Sequence, residues 1–415
     1  MKFRLFSALL IIPTLLLSKS YLASTIPLPK TYIQDLDPYV CDEKCLKTEL
    51  ENGYIFSFLA HSPSKLEDKE LNEQRLLNLS LFNIGAPLST NKLKIAVIIP
   101  YKMIGRYASS TTNAVFAYML TKNRQFDIKT FNIDSQDSDT LNKTIQEIEN
   151  EGFYYAIAPL TKDGVNTVIS IDPHINIFFP TVNKNDVNTS SAYLYFGGID
   201  YKAQIDALLK EAVSPLVIFK DNSVLSERLS TYSQVRYLNQ DKYSTGFFNT
   251  ETEEKEVITF SIDKSSTNLK EQLFENEKIK NGSFLTNTPV VKTGMIMSQL
   301  TLYDVNETNV LSTQINYDPL ILSMTQYQDR ENMIIANSIS TNNNVIIEIN
   351  SLLSNDIVYD WINYATTVGI DYFFNLITNV EREYQLQMLD NQVIYPIHLV
   401  KPSFARFINY KSIEE

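Results

Sequence analysis

One stretch of this sequence constrains the fold more than any other: KLKIAVIIPYKMIGRY, residues 92–107. Its central apolar run, IAVII, ends at Pro100 and predicts a strand that is buried on both faces, as strands of parallel sheets are. The loop that follows contains Lys102, Gly105 and Arg106. Because ligands bind outside the carboxyl ends of parallel strands, this loop is a candidate rim of a ligand crevice.

Predicted strands and helices alternate after this stretch. FDIKTFNID, FYYAIAPL and INIFFPTV are predicted strands, and the predicted helices between them are SSTTNAVFAYMLTKN, SDTLNKTIQEIENEG and DGVNTVISI. A second series begins with SPLVIFKD and SVLSERLSTYSQV. Strands that alternate with helices of this length are typical of βαβ units, which form parallel sheets. We therefore predict an α/β fold with parallel sheets flanked by helices, arranged in two lobes.

Residues 1–20, MKFRLFSALLIIPTLLLSKS, have the pattern of a secretory signal peptide. Basic Lys2 and Arg4 precede an apolar run over residues 5–17, which is short for a membrane span, and small residues follow. We expect cleavage near Ser20 and export of the remaining chain, with an uncleaved anchor as the alternative. No cysteine follows the apolar run directly, so a lipid anchor is not expected.

Residues 21–91 are predicted to form a short helical extension and a linker. CLKTELENGYIFSFLA and LEDKELNEQRLLNLSLF have apolar residues at helical spacing, and GAPLSTN has the composition of a linker. The two cysteines of the chain, Cys41 and Cys45, lie four residues apart on one predicted helix face. In an oxidising compartment we expect a disulfide between them, and a redox-active pair is the alternative.

Charge and motif content argue against several functions. The chain has 36 basic and 48 acidic residues, a formal charge of −12, whereas nucleic-acid binding depends on basic side chains. We find no glycine-rich phosphate motif and no GxSxG nucleophile motif. The three histidines, His61, His174 and His398, are far apart in sequence and predict no metal site. We expect a non-enzymatic protein without cofactors or metals.

Five stretches in order resemble the type I periplasmic-binding-protein fold, and most closely its penicillin-binding-protein activators of the LpoA/LppC kind. They are KIAVIIPYKMIGRYASSTTNAVFAYM, IAPLTKDGVNTV, GMIMSQLTLYDVNETNVLSTQINYDP, INYATTVGIDYFFNLI and YQLQMLDNQVIYPIHLVK. The resemblance covers about three quarters of the chain. It implies a two-lobed domain over residues 92–415, with the second lobe starting near residue 199 and the chain crossing back to the first. The lipoprotein cysteine and long helical N-terminal domain usual in the activators have no counterpart here.

The resemblance also predicts where a ligand or partner would bind. Amino-acid-binding members hold a carboxylate on hydroxyls and helix N-terminal amides, and the matching rim here is PLTKDG. The basic side chains near the rim could bind an anionic ligand or an acidic partner, or be solvated loop charges, and two tyrosines could floor the cleft or pack between the lobes. The candidates are Tyr101, Lys102, Arg106, Tyr107, Leu160, Thr161 and Lys162.

Two functions follow from the resemblance. The first is a periplasmic protein that acts through a protein partner in the cell envelope, such as a peptidoglycan synthase, by holding or shifting the partner's conformation. The alternative is a solute-binding protein for a small polar or amino-acid-like ligand in transport or sensing. The cleft distinguishes them, because a solute binder needs converging polar groups in a closable pocket.

Two of the five N-x-S/T sequons have an aspartate two positions ahead of the asparagine: DVNTS, with Asn188, and DVNET, with Asn306. This resembles the acidic acceptor motif of bacterial N-glycosylation systems, although two matches among five sequons can also arise by chance. Both lie in polar segments that predict exposed loops. We expect glycans at these two asparagines in a competent host and none at Asn78, Asn142 and Asn281.

Overall fold

The computed structural model describes residues 40–82, 92–105, 107–122, 124–239 and 255–411, together with residues 33, 35 and 37. The chain divides into two compact units, Met1–Leu88 and Ser89–Glu415. The predicted signal peptide and Arg106 lie outside the described residues. Among the helices within these ranges, none is both long and apolar enough to cross a membrane.

The described part of the first unit contains three helices, α1 (Glu43–Glu51), α2 (Ile55–His61) and α3 (Lys69–Leu81). Asp42 begins α1, because its carboxylate accepts a hydrogen bond of 2.9 Å from the backbone N–H of Cys45. Cys41 and Cys45 form a disulfide, as the sequence predicted. A small apolar core joins the three helices: Leu46, Phe58, Leu59 and Leu71.

The second unit contains the alternating strands and helices. Its described strands are β1 (Leu93–Ile99), β2 (Phe126–Asn132), β3 (Tyr155–Ile157), β4 (Asn176–Phe179), β5 (Leu194–Phe196), β6 (Leu216–Lys220), β7 (Val257–Ser261), β8 (Ser283–Asn287), β9 (Asn309–Ser312), β10 (Met333–Asn337), β11 (Gln387–Leu389), β12 (Gln392–Ile394), β13 (His398–Pro402) and β14 (Phe407–Asn409). Its described helices are α4 (Tyr101–Ile104), α5 (Tyr107–Leu120), α6 (Ser138–Asn150), α7 (Lys162–Ile171), α8 (Tyr201–Leu208), α9 (Val224–Leu238), α10 (Lys270–Leu273), α11 (Val290–Leu302), α12 (Leu320–Met324), α13 (Tyr327–Arg330), α14 (Asn344–Leu352) and α15 (Trp361–Thr378).

These strands form two seven-stranded sheets, one in each lobe. The order in the first sheet is β11-β12-β5-β4-β3-β1-β2, and in the second it is β14-β13-β10-β9-β8-β6-β7. Strands β1 to β5 pair in parallel, as do β6 to β10. At one edge of the first sheet, β12 pairs in parallel with β5 and antiparallel with β11. At one edge of the second, β13 pairs antiparallel with both β10 and β14. The predicted two-lobed α/β fold is therefore confirmed.

The apolar run at the start of the second unit is the centre of the first sheet. Ile95, Val97 and Ile99 point to one core cluster, and Ala96 and Ile98 point to the cluster on the opposite face. Successive side chains of a strand alternate between faces, and helices cover both faces of this sheet. This is why the run is apolar without alternation.

The two lobes are interleaved along the chain. Because β1–β5 and β11–β12 belong to the first sheet, whereas β6–β10 and β13–β14 belong to the second, the chain passes between the lobes three times. Helix α15 follows strands β6–β10 of the second sheet, yet its buried side chains, including Tyr364 and Phe373, belong to a core cluster of the first.

A buried carboxylate fixes α15 in the first lobe. The side chain of Asp371 is fully buried, and its Oδ1 accepts hydrogen bonds from Tyr118 Oη at 2.7 Å and from the backbone N–H of Glu383 at 2.8 Å. Arg382 Nε lies 3.3 Å from its Oδ2. Burial and, to a smaller extent, the negative charge of Asp371 raise the pKa of the Tyr118 hydroxyl. This hydroxyl therefore stays protonated and can donate its hydrogen bond.

Candidate ligand cleft between the two lobes

A cleft of about 510 Å³ lies within the second unit, lined by both lobes. This volume is within the range that small-molecule sites have. Its lining includes Tyr107, Thr181, Asn183 and Asp186 of the first lobe, Tyr201, Arg228, Gln314, Tyr317 and Asp318 of the second, and Asp356, Tyr359, Asp360 and Trp361 before and at the start of α15.

Segments that follow parallel strands position many of these side chains. Tyr107 begins α5, the second helix after β1, Asp186 lies in a 3-10 turn after β4, and Gln314 begins a 3-10 turn after β9. The carboxyl ends of parallel strands meet at one edge of a sheet, so residues distant in sequence converge there. The cleft therefore lies beyond the carboxyl ends of strands from both sheets.

The cleft carries a negative charge. Four aspartates and one arginine line it, which gives a formal charge of −3. Asp186 Oδ2 lies 3.0 Å from Arg228 Nη1, an ion pair that joins the first lobe to the second. The carboxylates of Asp318 and Asp356 have no basic neighbour among the described lining residues. Such a field favours cations over anions.

Local backbone bonds orient these carboxylates. Asp360 begins α15 and accepts from the N–H of Ile362 at 3.0 Å, whereas Asp356 accepts from the N–H groups of Val358 and Tyr359 at 2.7 and 3.0 Å. Asp318 accepts from the N–H of Leu320 at 2.8 Å. These bonds fix the side chains without cancelling their formal charge, because a backbone amide is neutral.

Aromatic rings form much of the remaining lining. The rings of Tyr317 and Tyr359 have centroids 5.3 Å apart, and Tyr107, Tyr201 and Trp361 lie around the same space. Burial raises the pKa of Tyr317 to about 12, so its hydroxyl stays neutral near pH 7. Aromatic faces beside carboxylates are an environment that attracts organic cations.

Two buried donors of the cleft lining have no hydrogen-bond partner among the described residues. The first is Gln314 Nε2, which is buried and unpaired, whereas Oε1 of the same side chain accepts a hydrogen bond of 2.7 Å from the N–H of Ser338. Trp361 Nε1 is also buried and unpaired. Buried donors are usually satisfied in native proteins, so water or a ligand with acceptor atoms would complete this site.

The predicted residues after β1 divide between the cleft and the surface. Tyr107 lines the cleft. Tyr101 and Lys102 are exposed on the short helix α4 and are absent from the lining, and Lys102 Nζ lies 3.1 Å from Asp134 Oδ1. The sequence left open whether the basic side chains bind a ligand or are solvated, and the described lining of the cleft is acidic.

At the second predicted rim, the N-terminus of α7 is closed by a side chain of the same protein. Gln136 Oε1, from the loop after β2, accepts from both the backbone N–H of Thr161 at 3.0 Å and Thr161 Oγ1 at 2.9 Å. A Cβ at Gly164 would lie only 1.7 Å from that oxygen, so the absence of a side chain at this position makes room for Gln136. Leu160 is buried in the core and Lys162 is exposed.

Several cleft residues gave no recognisable signal in the sequence. In the sequence, Asp186 stands out only as part of a sequon, and Arg228 and Asp360 belong to none of the motifs. Asp186 and Arg228 are 42 positions apart and lie in different lobes, so only the fold brings them together. Asp360 could have been recognised as a helix N-cap before an apolar helix, although not as a cleft residue.

The sequons differ in their surroundings. Asn188 and Asn306 are exposed and lie outside helices and strands. Asn306 Nδ2 donates a hydrogen bond of 2.5 Å to Asn281 Oδ1, and Asn281 has a left-handed backbone with φ of 56°. Asn78 is buried within α3 and Asn142 lies within α6.

Solved structures of other proteins have a similar fold. A putative branched-chain amino acid ABC transporter from Rhodospirillum rubrum matches with a TM-score of 0.58 and 8% identity, over 77% of this chain and 100% of that chain. The substrate-binding protein LivJ from Streptococcus pneumoniae, in complex with isoleucine, matches with a TM-score of 0.55 and 9% identity, over 76% and 98%. Full-length LpoA from Haemophilus influenzae matches with a TM-score of 0.50 and 13% identity, over 88% and 65%.

No protein-family model and no curated protein matches the sequence. At such low identities, the likeness to these structures concerns the fold alone. The second unit has two interleaved lobes, each with a largely parallel sheet, and a cleft between them. The second unit has the type I periplasmic-binding-protein fold.

Proposed function

We propose that this chain is a non-catalytic protein of the periplasm that acts by binding a protein partner in the cell envelope, such as a peptidoglycan synthase. The observation that carries the proposal is the closure of the α7 N-terminus by Gln136. The resemblance assigns this rim to ligand carboxylates in amino-acid-binding members. Here its donors at Thr161 are already bound, so an amino acid would have to displace Gln136.

The extent of the likeness to LpoA supports the same proposal. The match to LpoA covers 88% of this chain, which is about 365 of its 415 residues. The second unit has only 327 residues, so the matched region includes residues before Ser89. The amino-acid-binding structures match over 76–77%. LpoA is described as a regulator of PBP1A. This chain spans 65% of LpoA, so a partner common to both is part of the proposal.

A binding and activity experiment tests the proposal. Purified mature protein is titrated against the bifunctional peptidoglycan synthase of the same organism, and glycan polymerisation and crosslinking are measured in parallel. We expect saturable binding and a changed synthase rate, with no change from an unrelated type I binding protein used as the control. Saturable binding without an effect on rate, or no binding at micromolar concentrations, would contradict a regulatory role at this synthase.

A second function, binding of a cationic solute, is favoured by one specific observation: the acidic and aromatic lining of the cleft. Thermal denaturation with a panel of diamines, quaternary amines and neutral amino acids separates the two functions. A solute at a hundred times its dissociation constant would stabilise the protein by about 2.7 kcal/mol. Under the partner proposal we expect no shift with wild-type protein. A shift with amines that Asp318→Asn weakens would favour the solute function.

The Gln136→Ala variant provides a matched control for the amino-acid arm of this panel. It removes the side chain that occupies the donors of Thr161 and leaves the cleft aspartates unchanged. If the variant gains a shift with amino acids that wild-type protein lacks, closure by Gln136 is what prevents binding. A shift of equal size in wild-type protein would overturn the argument from Gln136.

A further inference from the structure

Four potential metal ligands meet in the first unit, away from the cleft. The nearest ligand atoms of Cys41, Cys45, Glu49 and His61 all lie within 4.8 Å of one another. Cys45 and Glu49 are four residues apart on α1, Cys41 precedes that helix by two residues, and His61 ends α2. The sequence predicted no metal site at the histidines, which are far apart along the chain. The turn between α1 and α2 brings His61 to the cysteine pair.

The ligand set is one that zinc uses in proteins. Thiolate sulfur, imidazole nitrogen and carboxylate oxygen bind zinc at roughly 2.0–2.3 Å, so tetrahedral ligand atoms lie roughly 3.3–3.8 Å apart. Separations within 4.8 Å need only small movements of side chains to reach this geometry. Cys41 and Cys45 have Cα atoms 5.3 Å apart, close enough for both sulfurs to contact one ion.

Each ring nitrogen of His61 lies near a carboxylate. His61 Nδ1 is 2.8 Å from Glu49 Oε1, whereas His61 Nε2 is 3.5 Å from Asp35 Oδ1. Metal-bound histidines commonly have one nitrogen on the metal and the other on a carboxylate, which orients the ring. Nδ1 would therefore bind the metal, and Asp35 would position the imidazole.

The cluster contains buried negative charge without sufficient compensation. The side chain of His61 is 9% exposed and that of Glu49 is 14% exposed. Glu49 Oε2 is buried and has no hydrogen-bond partner among the described residues. Asp35 and Asp37 add two more carboxylates near the same imidazole. A metal ion in the cluster would give the buried Glu49 carboxylate the partner that the described residues do not supply at Oε2.

We propose that Cys41, Cys45, Glu49 and His61 form a zinc-class metal site that the Cys41–Cys45 disulfide closes and that reduction opens. A dithiol reductant supplies two electrons and two protons, breaks the S–S bond and closes its own disulfide. Zinc then replaces both thiol protons, which pass to solvent, and binds the two thiolates with Glu49 and neutral His61. The same residues thus hold either a disulfide or a metal.

The two states would restrain the first unit differently. The disulfide links residues only four positions apart and does not join α1 to α2. A metal held by Glu49 and His61 would connect the two helices directly. The described core of this unit contains four fully buried apolar side chains, and units of this size commonly need such a connection. We therefore expect metal binding to make the reduced unit more resistant to proteolysis.

Cobalt binding to the full mature chain tests the site. The protein is reduced with dithiothreitol, desalted without oxygen and titrated with Co²⁺, whose bonds to thiolate give a near-ultraviolet absorption band. We expect one equivalent to bind to the reduced chain with this band, and Zn²⁺ to remove it. The oxidised chain is expected to lack the band. Zinc X-ray absorption should show both sulfur and nitrogen or oxygen ligands.

Matched variants identify the ligands. His61→Ala is expected to weaken Co²⁺ binding by roughly tenfold or more, and Asp35→Asn to weaken it less, while the exposed His174→Ala serves as the control and remains unchanged. If His61→Ala unfolds the first unit, Glu49→Gln gives the same test with a similar shape. Reduced protein that binds less than about a tenth of an equivalent, or variants that bind as wild type does, would overturn the site.

Discussion

At the scale of single residues, Asp371 contributes most clearly to stability. Replacing it with alanine removes the acceptor for Tyr118 and leaves Arg382 without its carboxylate. We expect Asp371→Ala to lower the free energy of unfolding by about 3–5 kcal/mol, the cost of breaking a buried charge pair. Urea denaturation measures this change. Asp127→Ala, at an exposed strand position, should change it by less than about 0.5 kcal/mol, and equal effects would refute the assignment.

The sequons give a second prediction at this scale. Asp186 is bound by Arg228, whereas Asp304 is exposed in a turn with φ of 50°. A transferase that reads the acidic residue would find Asp304 more accessible. In a host with bacterial N-glycosylation we expect higher occupancy at Asn306 than at Asn188, and none at buried Asn78. Glycopeptide mass spectrometry measures occupancy, and modification confined to the other sequons would contradict the acidic-motif hypothesis.

At the scale of secondary-structure elements, sequence patterns predicted what depends on neighbouring residues. The apolar run of β1 predicted a buried strand, because such a run depends on local burial. The N-caps at Asp137 and Thr161 depend likewise on neighbouring residues, since each accepts a hydrogen bond from a backbone N–H three positions on. The position of β12 beside β5 could not be predicted, since it pairs segments nearly two hundred residues apart through one short register. The proximity of His61 to the cysteines could not be predicted either, since it depends on how the turn between α1 and α2 sets the angle of the two helices.

The disulfide gives a prediction for the helical elements. Cys41 and Cys45 lie wholly within the first unit, and the bond spans only the start of α1. We expect the Cys41→Ser, Cys45→Ser double variant to leave the melting temperature of the second unit unchanged within about 1 °C, because no disulfide lies in that unit. Differential scanning calorimetry can test this. A lower second-unit transition would mean that its stability depends on the disulfide.

At the scale of the whole second unit, one ion pair joins the two lobes across the cleft. Asp186 and Arg228 are both partly exposed, so their contribution to folding is expected to be at most about 1 kcal/mol. The same energy would change the balance between closed and open lobes by about fivefold. We therefore expect Arg228→Ala to increase the radius of gyration measured by small-angle X-ray scattering, with little change in unfolding free energy.

Lys280→Ala is the matched control for this prediction. It breaks an ion pair of 2.6 Å with Glu277, but both partners lie in the same lobe. Its scattering profile should equal that of wild-type protein. If Arg228→Ala also scatters as wild type does, the contact between lobes does not restrain their opening, and packing of the chain crossings alone determines their arrangement.

The three chain crossings have a consequence for the order in which the protein is made. The first sheet lacks β11 and β12 until residue 394 has been synthesised, and α15 follows the strands β6–β10 of the second sheet. The second sheet lacks β13 and β14 until residue 409. Each lobe therefore completes its sheet only after most of the other lobe has been synthesised, so the two lobes are expected to fold together and not one after the other.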